Sequence, residues 1–259
     1  MIKAIFFDID GTLLSFNTHK VPQSTLKALE LLKEKGVKVF VSSGRPQYLL
    51  DSIKDLEFDG YITLNGAYCF TTDKSFESKR SILKQDIENL IKWNKTYNYP
   101  LVFMYAADWS LTHLNQDVVN VTSQLNVQIP QILPESSVFE NETFQMMGYF
   151  KGELDEMLKE NVIPGCELAR WHPDFVDIVR ANTSKSEGMV EILNHFNFDI
   201  SQSMAFGDGG NDITILSKAG IGVAMGNASD NVKEAADYVT DSVDEDGIYN
   251  ALRHFGVID

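Results

Sequence analysis

The feature that most limits what this chain can fold into is the run Ile5-Phe6-Phe7-Asp8-Ile9-Asp10-Gly11-Thr12-Leu13-Leu14. Its leading apolar residues predict a strand buried on both faces, as in a parallel sheet, with Lys3 near the outer end. The run stops at Asp8-Ile9-Asp10, and Gly11-Thr12 reads as a turn. Residues two apart at a strand end can point the same way, which puts two carboxylates at the C-terminal edge of a sheet. Open α/β folds bind ligands at that edge. Like charges so close repel and call for a cation or a shared proton, and carboxylate oxygens suit Mg²⁺. Asp and Gly after a strand also make an ordinary turn, so the downstream chain has to decide between the two readings.

Downstream, strands and helices alternate. Residues 24–35 carry Leu26, Leu29, Leu31 and Leu32 at helical spacing, with Ser24 as the expected N-cap and Gly36 as the terminating glycine. Residues 37–41 predict the next strand. It closes at Ser42-Ser43-Gly44-Arg45-Pro46, and a helix is expected over 46–56. Strand, helix, strand, helix implies right-handed parallel crossovers, hence an α/β fold with a doubly wound, Rossmann-like parallel sheet. Ser43-Gly44-Arg45 then falls at the same sheet edge as Asp8 and Asp10. A hydroxyl, an unhindered amide and a helix N-terminus form a phosphate cradle, although a Ser-capped helix with an exposed Arg looks the same in sequence. Residues 61–64 read as a third strand ending in the Asn65-Gly66 turn, with 67–70 and 76–79 as a hairpin.

From residue 81 the rhythm changes. Residues 81–98 predict an amphipathic helix whose stripe is Leu83, Ile87, Leu90, Ile91 and Trp93, read as core. Strand-like runs at 101–106, 109–114, 144–150, 166–171 and 175–179 alternate with helices at 116–125 and 153–160. This is the pattern of an α+β module with an antiparallel sheet. Parallel grammar resumes with a helix at 185–196, a short strand at 203–206 and the loop Gly207-Asp208-Gly209-Gly210-Asn211-Asp212. Helices at 212–218, 229–236 and 246–255 and strands at 221–225 and 238–240 complete it. The expected organisation is a core of residues 1–81 plus 183–259, interrupted by an inserted domain over 82–182.

Charge narrows the partners. With 22 basic against 37 acidic residues, the net charge of −15 argues against nucleic acid or an anionic membrane surface. A small anionic substrate stays open, because a metal and a few Lys or Arg reverse the field locally. No apolar run approaches the roughly 20 residues of a membrane helix, and the N-terminus lacks the pattern of an export signal. Cys69 and Cys166 stand alone, outside any Cys-x-x-Cys pattern, and read as reduced thiols. A cytoplasmic protein is expected.

Four segments therefore point at one edge of one sheet: Asp8-x-Asp10, Ser43-Gly44-Arg45, Lys185 at a helix start, and Gly207 to Asp212. Singly they are loop acids, a capped helix and a surface lysine. Jointly they supply what phosphoryl transfer needs: a nucleophile, an acid/base, a metal with its ligands, and donors for the phosphoryl oxygens.

Phe6-Phe7-Asp8-Ile9-Asp10-Gly11-Thr12-Leu13-Leu14, Ser42-Ser43-Gly44-Arg45-Pro46, Ser184-Lys185 and Phe206-Gly207-Asp208-Gly209-Gly210-Asn211-Asp212-Ile213 resemble the four motifs of the haloacid dehalogenase-like (HAD) hydrolases. The insertion resembles the C2B cap of the Cof-type phosphatases. One departure is Lys185-Ser186-Glu187-Gly188, where many relatives carry Gly directly after Lys. The resemblance implies Asp8 as nucleophile and Asp10 as the acid that protonates the leaving oxygen and then activates water. It implies Mg²⁺ held by the Asp8 carboxylate, the Asp10 main-chain carbonyl and Asp208. Ser43, Gly44, Lys185 and Asn211 would hold the phosphate, Asp212 would support the site, and Arg45 would lie near the substrate and the cap interface. The cap would cover the site; Trp171-His172-Pro173-Asp174, between its last two strands, would either reach the leaving group or serve as a structural hairpin tip. The expected activity is hydrolysis of small phosphate monoesters, sugar phosphates first. A phosphotransferase or phosphomutase of the same chemistry, or a non-catalytic phosphometabolite sensor, remains the alternative.

Overall fold

The computed structural model describes residues 1–124 and 127–259. Contacts along the chain separate two compact units. The first comprises Met1–Arg45, Leu49–Ser78 and Ser184–Asp259, and the second comprises Pro46–Tyr48 and Lys79–Thr183.

The first unit is built on an eight-stranded sheet. Its order is Tyr238–Val239, Ile221–Ala224, Ser203–Gly207, Ala4–Phe7, Lys38–Ser42, Gly60–Thr63, Tyr68–Thr71 and Glu77–Lys79. The first six are parallel, and Tyr68–Thr71 runs antiparallel to its neighbour. Ala4–Phe7 lies inside the sheet, with Phe7 in register with both Phe206 and Val41. That register brings the residues following three strands, Asp8, Ser43 and Asp208, to one edge.

Side chains alternate across the sheet with period two. Ile5, Phe7, Val39, Val41, Met204 and Phe206 pack with Ala28 and Leu32 of helix Gln23–Glu34 and with Ile248, Ala251 and Leu252 of helix Gly247–His254. Ala4, Phe6, Phe40 and Ala205 face the other way, against Met189, Ile192 and Leu193 of helix Lys185–His195 and Ile215 and Leu216 of helix Ile213–Lys218. Helices thus cover both faces, as doubly wound grammar requires. Phe7 stacks on Phe206 at 5.0 Å and Phe6 on Phe40 at 4.9 Å. Each fully buried ring stabilises the fold by roughly 1.5–3 kcal/mol, so the strand that ends at Asp8 has a rigid base.

Three local expectations need correction. Helix Gln23–Glu34 is entered from Pro22, and Ser24 lies inside it with its hydroxyl buried and without a hydrogen-bond partner among the described residues. Proline supplies the extended entry that a serine cap supplies elsewhere. The expected helix over 46–56 is instead two short 3₁₀ turns, Gln47–Leu49 and Asp51–Ile53. Bonds from Ile53 N–H to Leu50 and from Leu56 N–H to Ile53 tighten the path and bury Leu50 and Ile53. The motif at Ser43-Gly44-Arg45 therefore has no α-helix N-terminus behind it. Leu83 precedes helix Lys84–Tyr97 and is exposed, whereas Ile87, Leu90 and Ile91 are buried.

The second unit holds a six-stranded sheet ordered Cys166–His172, Phe175–Arg180, Gln145–Gly148, Leu101–Met104, Trp109–Leu111 and Gln131–Ile132. Its pairings are antiparallel except the last. Leu101, Phe103, Met146 and Ile178 pack against Ile87 and Leu90 and against Leu158 of helix Asp155–Asn161. A further helix is described over Gln116–Gln124; the expected last residue, 125, lies outside the described residues. His172 stacks on Phe175 and its Nε2 lies 3.2 Å from Gln124 Oε1, so the hairpin tip is tied into its own unit. Both cysteines are buried. Among the described residues, no helix is long and apolar enough to cross a membrane.

Candidate active site

The centre of the first unit's sheet edge is an ion-pair cluster. Lys185 Nζ donates to Asp8 Oδ1 and to Asp212 Oδ1, both at 2.6 Å. Lys185 opens its helix behind the N-cap Ser184, whose hydroxyl accepts from the Glu187 amide. Its side chain is 0% exposed, against 11% for Asp8 and 1% for Asp212. The sequence reading of an exposed lysine is therefore excluded. Burial works against the ammonium, but Asp212 and Asp8 outweigh it and hold Lys185 above its usual range.

Asp212 is a hub. Its Oδ2 accepts from the amides of Asp208 and Gly209 at 3.1 and 2.9 Å, while Oδ1 takes Lys185. A Cβ on residue 207 would lie 2.4 Å from Asp212 Cγ, so glycine is required there for Asp212 to fold back over its own loop. Asp208 in turn accepts from Thr12 Oγ1 at 3.0 Å. Gly11, at φ +81°, lets that carboxylate lie against the turn, where a Cβ would sit 2.2 Å from Asp208 Oδ2.

Asp8, Asp208 and Asp212 each offer a carboxylate oxygen within 4.8 Å of the others. Three carboxylates against one ammonium leave an excess of negative charge. Burial first, then Asp212, pushes Asp208 up to about 7, and burial and Asp212 also raise Asp8 well above the carboxylate range. Hard oxygen donors with surplus negative charge fit a divalent cation such as Mg²⁺. Asp212 accepts three hydrogen bonds, from Lys185 and two amides. Asp8 accepts from Lys185 on Oδ1, and Asp208 from one side-chain donor on each oxygen, so Asp8 and Asp208 are the side chains better suited to ligation.

Asp10 is directed elsewhere. Arg45 grips it in a two-pronged pair, Nε to Oδ2 at 2.8 Å and Nη2 to Oδ1 at 2.7 Å. Any share of Asp10 in a cation site rests on its main-chain carbonyl. Ser43 is buried, with its Oγ accepting from the Arg45 amide at 3.1 Å.

A third grouping was not legible in sequence. Leu64, Asn65 and Gly66 follow strand Gly60–Thr63 with φ of 53°, 54° and 97°. This left-handed run turns the buried Asn65 towards Gly44 and Asn211. Asn211 Nδ2 donates to Asn65 Oδ1 at 3.0 Å, and a Cβ on residue 44 would meet the Asn65 amide at 3.1 Å and Asn211 Nδ2 at 3.4 Å. The sequence marked Asn65-Gly66 as a turn. Its only further signal was position, since the turn follows a core strand at the edge where the other motifs gather. Thr12 was likewise read only as part of a turn.

Known proteins resemble this chain over nearly its whole length. The family model described as haloacid dehalogenase-like hydrolase matches residues 5–252. The protein YkrA of Bacillus subtilis (strain 168) is 33% identical over 259 residues, covering 99% of this chain and 98% of its own. BT1666 from Bacteroides thetaiotaomicron, described among phosphatases of the HAD superfamily, superposes with a TM-score of 0.94 at 38% identity, over 100% of this chain and 96% of that one. BT4131, described as a HAD subclass IIB sugar phosphatase, superposes with a TM-score of 0.90 at 39% identity, over 99% of this chain and all of that one.

Proposed function

The chain belongs to the haloacid dehalogenase-like hydrolase family, and from that membership we propose that it is a Mg²⁺-dependent phosphatase that hydrolyses small phosphate monoesters through an aspartyl phosphate on Asp8. The observation that carries the reading is the setting of Asp8. Its carboxylate lies 2.6 Å from the buried ammonium of Lys185 and shares a cluster with Asp208. A carboxylate attacks an anionic phosphate poorly unless charge is neutralised, and the Lys185 ammonium neutralises part of it. When bound by the carboxylates of Asp8 and Asp208 and the Asp10 carbonyl, Mg²⁺ supplies the remaining charge compensation for the phosphoryl group.

In the first half-reaction an Asp8 oxygen bonds to phosphorus while the bond from phosphorus to the ester oxygen breaks. Asp10 gives its proton to the departing oxygen, which requires one of its oxygens to be released from the Arg45 fork while the other stays held. In the second, Asp10 takes a proton from water as the water oxygen attacks phosphorus, the Asp8–phosphorus bond breaks, and inorganic phosphate leaves. Lys185, Ser43, the Gly44 amide and Asn211 hold the phosphoryl oxygens, and Asp212 keeps Lys185 in place.

Sugar phosphates are the proposed substrate class, supported by full-length likeness to BT4131. The proposed compartment is the cytoplasm, in keeping with two cysteines that stand far apart in sequence, outside any Cys-x-x-Cys pattern. Phosphate release from a panel of phosphorylated metabolites with Mg²⁺ tests the reading. Turnover of sugar phosphates by the wild type, reduced about a thousandfold or more in Asp8→Asn, is the expected result. Undiminished hydrolysis by Asp8→Asn would refute the nucleophile assignment. Phosphate passed to added sugar acceptors in place of release would make the protein a phosphotransferase.

A further inference from the structure

The Asp208 carboxylate is held from two sides by residues outside the motif that carries it. Thr12 Oγ1 donates to Oδ1 at 3.0 Å, and Asn227 Nδ2 donates to Oδ2 at 3.2 Å. Asn227 also donates from Nδ2 to the Gly11 carbonyl at 2.9 Å, while its Oδ1 accepts from the Val243 amide at 2.9 Å. Only one orientation of the amide satisfies an N–H at one end and a carbonyl at the other, so the donor is fixed towards Asp208.

The main chain around Asn227 is fixed as well. Met225 N–H bonds to Gly207 O, Gly226 N–H to Asp241 O and Ala228 N–H to Met225 O, each at 3.0 Å. At Gly226 the two loops approach so closely that a Cβ would lie 2.6 Å from Ser242 N. Asn227 is thus an exposed side chain on a hydrogen-bonded base, joining the turn after Asp10, the loop of Asp208 and the C-terminal segment at Val243. In sequence it is one polar residue in a loop.

We propose that Asn227 is a positioning residue that, with Thr12, aims the Asp208 carboxylate at the divalent cation. Both hydrogens of its Nδ2 are used, one on Gly11 and one on Asp208, so with Thr12 on the other oxygen each Asp208 oxygen accepts one of these hydrogen bonds and keeps a lone pair for the ion. Without Asn227, Asp208 turns about its Thr12 contact and cation binding loses orientation. Groups that orient ligands in this way are typically worth about 10–100-fold in metal affinity. The inference rests on the reading of Asp208 as a cation ligand.

The test is titration of the purified, metal-free full chain with Mn²⁺, followed by electron paramagnetic resonance, alongside thermal melting without metal. Asn227→Ala and Asn227→Ser, whose side chain is too short to reach Asp208, should each raise the Mn²⁺ Kd about tenfold or more. Metal-free melting should stay close to wild type, the Mg²⁺ concentration for half-maximal activity should rise in step, and kcat should return at saturating Mg²⁺. Thr12→Val should raise the Kd as well, and the double variant should depart from additivity because both residues grip one carboxylate. An Mn²⁺ Kd within twofold of wild type in both Asn227 variants would overturn the inference and leave Asn227 a loop tether. Asp208→Ala separates the two levels. If it binds Mn²⁺ normally, the reading of Asp208 itself fails; if it loses Mn²⁺ while the Asn227 variants do not, only the inference about Asn227 fails.

Discussion

Arg45 holds both carboxylate oxygens of Asp10, at 2.8 and 2.7 Å, with the two side chains 30% and 40% exposed. A fork–fork pair fixes orientation as well as charge. The proposed acid/base is therefore parked in a defined place at the rim of the cluster, outside the group formed by Asp8, Asp208 and Asp212. Arg45 also donates from Nη1 to the Leu49 carbonyl at 3.1 Å, which anchors the fork to the turn that follows.

Arg45→Lys keeps the charge and removes the fork. Losing the orientation of a proton-transfer group by about an ångström costs on the order of 100-fold in rate. The expected outcome is a fall in kcat of about ten- to 100-fold with Mn²⁺ affinity unchanged, because Arg45 bonds to the Asp10 carboxylate and not to the main-chain carbonyl proposed to hold the cation. Steady-state kinetics beside an Mn²⁺ titration checks it, and an unchanged kcat would remove Arg45 from any part in placing Asp10.

Lys185→Met tests the buried ion pairs. Removing the ammonium leaves Asp8 and Asp212 facing each other without compensation. Breaking a buried pair in this way costs about 3–5 kcal/mol. Urea unfolding of the metal-free protein should show a loss of that size, part of it recovered with Mg²⁺, which binds only the folded state. Turnover should be lost as well. Wild-type stability in this variant would mean that the pairs contribute nothing.

The metal-free protein should become less stable as pH rises from 5 to 7. Asp208 is raised to about 7 in the folded state, and an unfolded Asp titrates near 3.8. Between those values the folded chain binds more protons than the unfolded chain, so stability falls with pH and levels off above about 7. Asp8 shifts the same way. Carboxylates held low, such as Asp73 at about 2, change below this window. Melting at pH 5 and 7.5 without metal checks the sign. Asp208→Asn should shrink the difference, and Mg²⁺ should reverse it by replacing the proton. A metal-free wild type that is more stable at pH 7.5 would contradict the electrostatics described.

Gly66→Ala probes the turn behind Lys185. At φ +97° an L side chain is strained, and its Cβ would lie 2.1 Å from the Ser184 carbonyl. Left-handed strain of about 1–2 kcal/mol adds to an overpacking cost of about 1–3 kcal/mol. The clash pushes on the residue before Lys185, so melting temperature and kcat should fall together. Gly36→Ala, also at positive φ but with nothing within 4 Å, should lower the melting temperature alone. Equal effects of the two substitutions on kcat would show that the turn does not set the position of Lys185.

Much of this architecture was legible because it depends on local pattern. Ile5 and Phe7 alternate with Ala4 and Phe6, and the strand they form ends where the apolar run ends. Asp8, Asp208 and Asp212 gather because two parallel strands in register deliver them to one edge. What sequence missed depends on contacts between distant segments. Asn65, Thr12 and Asn227 are single polar residues in turns, and each gains meaning only from a partner far along the chain, such as Asn211 or Asp208. Ser24 and residues 46–56 misled for the converse reason. Helical spacing and a serine were present, but proline entry and the burial of Leu50 and Ile53 settled the local path.

The central claim is that phosphorus is transferred to Asp8, and the most direct measurement is chemical trapping. Enzyme mixed with a sugar phosphate and Mg²⁺, quenched within one turnover and treated with borohydride, converts an aspartyl phosphate to homoserine. Mass spectrometry of the tryptic peptide that runs from Ala4 to Lys20 should then place homoserine at position 8. Homoserine at Asp10 or at another carboxylate, or none in this peptide while phosphate is released in full, would contradict the account.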